Sequence, residues 1–123
     1  MKHVFSDGAP AAIGPYSHAI ITGNLIFCSG QTPLDPKTGE VSGTNAAEQA
    51  EQCIKNIKAV LESAGSSIDK VVKSTCYLFD MSDFSAFNEV YGKHFSHKPA
   101  RTTIAAKGLP KNVLVEIEVI AEL

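Results

Sequence analysis

At 123 residues, 44% apolar and 20% charged, the chain has the size and composition of one globular domain, residues 1–123, able to bury a core. A formal charge of -2 supplies no basic field for phosphates, so nucleic acid is not the expected partner. Residues Met1 to Gly8 lack the apolar run of a signal peptide, and no segment approaches the length of a bilayer span, which predicts a cytoplasmic protein with no membrane attachment.

Ser17 to Thr22 and Leu25 to Ser29 are short, apolar and rich in β-branched residues, and Gly23-Asn24 between them suits the positive φ of a two-residue turn. A β-hairpin is expected there. Gln31 to Gly43 carries Pro33, Asp35-Pro36 and Thr38-Gly39, which favour turns and predict a surface loop. From Ala46 the period changes: Ala50, Cys53, Ile54, Ile57, Val60, Leu61 and Ala64 form the stripe of an amphipathic helix. Asn45 with Glu48 resembles a capping box, and Gly65 supplies the stop.

Val71 to Phe79 has apolar residues at both parities and reads as a strand covered on both faces, inside a sheet. Ser82 is placed to cap a second helix through about Phe95, with Phe84, Phe87, Val90, Tyr91 and Phe95 as its apolar stripe. Ala100 to Ala106 and Val113 to Ala121 read as two final strands joined by the six residues Lys107 to Asn112. Cys28, Cys53 and Cys76 are scattered among apolar residues and read as free core thiols. His94 and His97 have no carboxylate or cysteine ligand beside them, so no metal is expected.

The order strand, strand, helix, strand, helix, strand, strand implies an α+β layer, a mixed sheet with two helices on one face. Two helices cover only one face, and the apolar residues of the other predict contact with another subunit.

Arg101, Glu116 and Glu118 interrupt apolar strands and call for partners. If the last two strands formed a symmetric hairpin, Arg101 would stand opposite Glu118 and Thr103 opposite Glu116, all on one face. A structural ion pair explains such spacing. So does a guanidinium that holds a substrate carboxylate beside a glutamate that activates water.

Pro99-Ala100-Arg101-Thr102-Thr103, Leu109-Pro110-Lys111 and Val115-Glu116-Ile117-Glu118 resemble the C-terminal signature of the RidA/YjgF family at its spacing. Ala11-Ala12-Ile13-Gly14-Pro15-Tyr16-Ser17, Ser29-Gly30-Gln31 with Pro33, and Asn88-Glu89-Val90-Tyr91 are similar to its other motifs, so the likeness covers nearly the whole chain. The resemblance implies a chorismate-mutase-like fold and a homotrimer whose clefts lie between subunits, with neither metal nor organic cofactor. It implies hydrolytic deamination of 2-imino or enamino acids, such as 2-iminobutanoate and 2-iminopropanoate, to 2-keto acids and ammonia. Arg101 then anchors the carboxylate, Glu116 positions water, Tyr16 lines the cleft, Gly30 approaches substrate through its backbone, and Asn88 stands at the cleft edge. Thr103 occupies a position where many imine-hydrolysing members have cysteine, which bears on substrate range more than on reaction type. Glu118 is read as structural, or as support for Arg101. Two alternatives are an endoribonuclease, in which Arg101 meets phosphate, and a chaperone-like or small-carboxylate-binding protein without turnover.

Overall fold

The computed structural model describes residues 1–123. Strand β1 (Lys2–Val4) pairs antiparallel with β2 (Ala19–Thr22), which turns through Gly23-Asn24 into β3 (Leu25–Cys28). Gly23 adopts φ 57°, so the hairpin forms where a glycine relieves the left-handed turn. Strand β1 was not foreseen, because three residues are too few to show a period. Beyond the hairpin, Gln31 to Gly43 forms no regular element. It is tied down at Gln31, which bridges Ile117, and by the buried Asn56 amide, which donates to the Thr32 and Leu34 carbonyls at 3.0 Å each.

Helix α1 (Ala46–Ser63) begins at Asn45, whose side chain accepts from Glu48 N–H at 2.9 Å. The Glu48 carboxylate bonds Thr44 N–H instead of Asn45 N–H, so the reciprocal half of the capping box is displaced by one residue. At the other end Gly65 takes φ 85°, with Gly65 N–H on the Glu62 carbonyl and Ser66 N–H on the Leu61 carbonyl. This double closure is a Schellman motif, and it satisfies carbonyls that the helix end leaves free. The predicted stripe packs on the sheet, with Ala50, Cys53, Ile57, Val60 and Leu61 fully buried. Truncating Ile57 or Leu61 to alanine would cost about 2 to 5 kcal/mol.

After β4 (Val71–Leu78), the Asp80 carboxylate accepts from Ser82 N–H at 2.8 Å and caps a short turn, while the residue that begins the second helix, Asp83, makes no side-chain cap bond, so Ser82 does not cap it. Ser82 lies inside a short 3-10 turn that leads into α2 (Phe84–His94). The last strands are β5 (Ala100–Ala105) and β6 (Val115–Glu122).

The six strands run in the order β1-β2-β3-β6-β4-β5, and this overturns the expected final hairpin. Strand β5 pairs parallel with β4, while β6 enters between β3 and β4 and is antiparallel to both. A helix between two strands lets them lie side by side in parallel, and α2 does this for β4 and β5. The six-residue connection then spans the end of β4: Ala106 N–H bonds the Leu78 carbonyl on one side, and Phe79 N–H bonds the Leu114 carbonyl on the other. Lys111 and Asn112 take positive φ in that link, which curls through a 3-10 turn. Strand β4 is interior, as expected, and both helices lie over one face of this α+β sheet. No helix is long and apolar enough to cross a membrane.

Candidate functional site

Side chains alternate along a strand, so register decides which can meet. Val115, Ile117 and Val119 of β6 are buried on the helix-covered side, which puts Glu116 and Glu118 on the open face. Ser74 and Cys76 pair with Val119 and Ile117, and Arg101 and Thr103 pair in turn with Ser74 and Cys76. Arg101 and Thr103 therefore lie on the helix-covered side. Neither expected cross-strand partnership, Arg101 with Glu118 or Thr103 with Glu116, exists in the chain. The one salt bridge joins His94 to Glu51, so a structural ion pair does not account for Arg101 either.

Helix α2 presents Phe84, Asn88 and Tyr91 at i, i+4 and i+7, on one face. Arg101 Nη1 donates to Asn88 Oδ1 at 2.7 Å, and the guanidinium carbon lies 4.7 Å from the Tyr91 ring centre and 5.6 Å from that of Phe84. The structure thus joins the predicted pair Arg101 and Asn88. The apolar stripe marks Phe84 and Tyr91 only as core positions, although their spacing from Asn88 puts all three on one helix face. Most of the guanidinium's five N–H donors remain free for an anion. On the same side of β5, the Thr103 hydroxyl is buried without a hydrogen-bond partner, an uncommon condition for a polar group. Burial pushes the neighbouring Cys76 thiol up to about 11, against the opposing effects of Ser74 and Arg101. Burial takes Cys28 to about 12. Neither thiol is a nucleophile near neutral pH.

The second grouping is on the open face, where Tyr16, Gly30 and Glu116 line a groove of about 610 Å³ together with Ile13, Lys111 and Glu118. Burial raises the pKa of the half-buried Glu116, and the Glu118 charge adds to the shift. A Cβ on Gly30 would collide with Glu116 Oε2 and lie 3.1 Å from its Cδ, so glycine makes room for that carboxylate. The backbone role expected for Gly30 is joined by a steric one. Glu118 accepts from the Tyr77 hydroxyl at 3.0 Å and gives Arg101 no support.

The N-terminal segment that brings Ile13 and Tyr16 to the groove is fastened by His18, a buried residue that sequence reasoning passed over. Its Nδ1 accepts from Ser6 N–H at 2.8 Å and its Nε2 donates to the Pro10 carbonyl at 2.7 Å. A backbone N–H can only donate and a carbonyl only accept, so both contacts require the neutral Nε2–H tautomer.

The predicted site residues therefore form two clusters: Arg101, Asn88 and Thr103 beside α2, and Tyr16, Gly30 and Glu116 in the open-face groove. The sheet separates them within one chain.

Comparison with known proteins gives a consistent picture. The sequence model described as Endoribonuclease L-PSP matches residues 6–123. A RutC family protein of Saccharolobus solfataricus is 53% identical over 120 residues, covering 97% of this chain and 95% of its own. The crystal structure of the YjgF gene product from E. coli is similar with a TM-score of 0.94 and 42% identity, over 99% of this chain and 98% of that one. RidA from an Antarctic Psychrobacter gives a TM-score of 0.95 and 43% identity, with 100% of each chain covered.

Proposed function

This chain belongs to the endoribonuclease L-PSP family, which includes YjgF, RidA and RutC proteins, and on that premise we propose that it hydrolyses small 2-imino acids in clefts between the subunits of a homotrimer. The observation that carries this reading is the division of one plausible catalytic set between opposite faces of a sheet. Arg101 and Glu116 can act on one substrate only if a neighbouring chain brings the edge strand β5 against the open-face groove.

In such a cleft the Arg101 guanidinium holds the substrate carboxylate with two parallel N–H bonds. Glu116 takes a proton from water as its oxygen adds to the imine carbon, and a carbinolamine forms. The protonated Glu116 hands that proton to the former imine nitrogen, completing the neutral carbinolamine, then takes the hydroxyl proton and delivers it to the departing nitrogen as the C=O bond forms and the C–N bond breaks, so 2-keto acid and ammonia leave. Imine and water in, keto acid and ammonia out, the atoms balance without cofactor or metal. A raised pKa suits Glu116 to these proton transfers, and positioned acid–base catalysis contributes roughly a hundredfold to ten-thousandfold in rate. Tyr16 borders the cleft, Gly30 admits the Glu116 carboxylate and offers its backbone, and Asn88 and Thr103 flank the anchor. The apolar Ala11, Ile13 and Leu34 along the groove favour substrates with small apolar side chains, such as 2-iminobutanoate and 2-iminopropanoate. The endoribonuclease reading finds less support, because a chain with a formal charge of -2 has no broad basic field for an RNA backbone.

Co-assembly of two defective chains tests both the chemistry and the cleft. Arg101→Ala and Glu116→Gln, each alone, should release ammonia from freshly generated imino acid little faster than buffer does. Random assembly of equal amounts makes about three quarters of the trimers mixed, and each of these rebuilds one intact cleft of three, which returns about a quarter of wild-type activity. Ammonia release by the wild type no faster than in buffer would remove the reaction, and no recovery on mixing would remove the shared cleft.

A further inference from the structure

Tyr91 makes three contacts at once, and they constrain it in different directions. Its ring is buried and stacks on Phe95 with 4.4 Å between centres and 17° between planes. Its hydroxyl is hydrogen-bonded at 2.6 Å to the fully buried Ser74, the β4 residue in register with Arg101. The Arg101 guanidinium carbon sits 4.7 Å from its ring centre, closer than to Phe84. One bond from Nη1 to Asn88 leaves the guanidinium free to pivot about that bond. An aromatic face beneath the cation removes this freedom, because the cation is attracted to the ring's negative face and the planar group stacks on it.

From this geometry we infer that Tyr91 is a positioning residue: it fixes the plane in which the free N–H groups of Arg101 meet a substrate carboxylate. The inference rests on the imino-acid reading for its substrate but not for its geometry. The ring does the positioning, and the Ser74 bond and Phe95 stack hold the ring. A shift of about 1 Å at an anchor can cost about a hundredfold, so a residue that never touches substrate can still govern its binding.

The test compares Tyr91→Leu, which removes the aromatic face, with Tyr91→Phe, which keeps the face and loses the Ser74 bond. Tyr91→Leu should raise KM for 2-iminobutanoate about tenfold with a smaller change in kcat, the pattern of a lost binding interaction. Tyr91→Phe should stay within about twofold of wild-type KM even if it melts lower, since only the hydroxyl bond is gone. Proton NMR of Arg101 Nε–H gives a readout independent of turnover: ring-current shielding should fall in Tyr91→Leu to the smaller share of the more distant Phe84 ring, and persist in Tyr91→Phe. If Leu prevents folding, Tyr91→Met carries the same expectations. Unchanged KM and an unchanged Nε–H signal without the ring would overturn the inference. An inactive wild type would remove the substrate reading alone, and the NMR comparison would still decide the role of Tyr91.

Discussion

On the helix-covered face, Val115, Ile117 and Val119 are sealed and Arg101 rests on α2, while the open face leaves Tyr16, Phe27 and Ile104 between 42% and 48% exposed beside two glutamates. The first face is completed by local sequence: a stripe on α1, a Schellman stop and two crossovers that land both helices on the same side. The second face has an apolar surface and a groove but no cover from its own chain. The difference teaches that one half of the candidate site is set by the packing of the fold while the other half lies on an open surface. The Arg101 cluster is part of the packed fold, and the Glu116 cluster is part of an open surface.

The strongest way to sharpen that contrast is Arg101→Lys. Lysine keeps the charge but loses the planar fork and the stacked face, so imine hydrolysis should fall by about a hundredfold or more. Because Arg101 makes no salt bridge, the melting temperature should stay close to wild type. Ammonia release together with thermal melting checks this, and near-normal turnover by the lysine variant would rule out a two-toothed anchor.

Gly30→Ala attacks the other face with a smaller expected effect. The added methyl meets the Glu116 carboxylate, which can swing only at the expense of its place in the groove. A loss of about tenfold in kcat follows, with little change in KM, since the anchor on the far side of the sheet is untouched. A Gly30→Ala variant with raised KM and unchanged kcat would overturn this division of labour between the faces.

Much of the fold was legible because its signals are local. Gly23-Asn24 marks a turn, Asn45 and Gly65 bracket α1, and the α2 stripe shows itself within a few turns. The pairing of the last strands was not, because β5 and β6 are neighbours in sequence yet separated in the sheet by β4. A symmetric six-residue link looked like a hairpin, and the stronger clue, a strand–helix–strand run from β4 through α2 to β5, pointed to parallel pairing instead. That one misreading placed Arg101 beside Glu118 and put four charged or polar residues on a single face. The family motifs named residues that do cluster, Arg101 with Asn88 and Gly30 with Glu116, without showing that the two groups face apart. His18 escaped notice because a single histidine carries no spacing to read.

The smallest expected effect separates chemistry from stability at Glu116. Burial first, and the Glu118 charge second, raise its pKa, so the native state binds this proton more readily than the unfolded chain does. Such a group adds stability while pH is below its unfolded value and loses that contribution as pH rises through the higher native value. At neutral pH the ionised carboxylate is therefore a net cost to the fold, and Glu116→Gln should melt at or slightly above the wild type. With half the group exposed to solvent, the gain stays below about 1 kcal/mol. Lowering the pH through the ordinary glutamate range, about 4.3, protonates the wild type as well, and the gap should close. Thermal melting of both proteins from pH 7 down to pH 4 checks the sign. A glutamine variant that is less stable at pH 7 would mean that the carboxylate is held by a favourable partner, and that Glu116 belongs with the finished face instead of the open one.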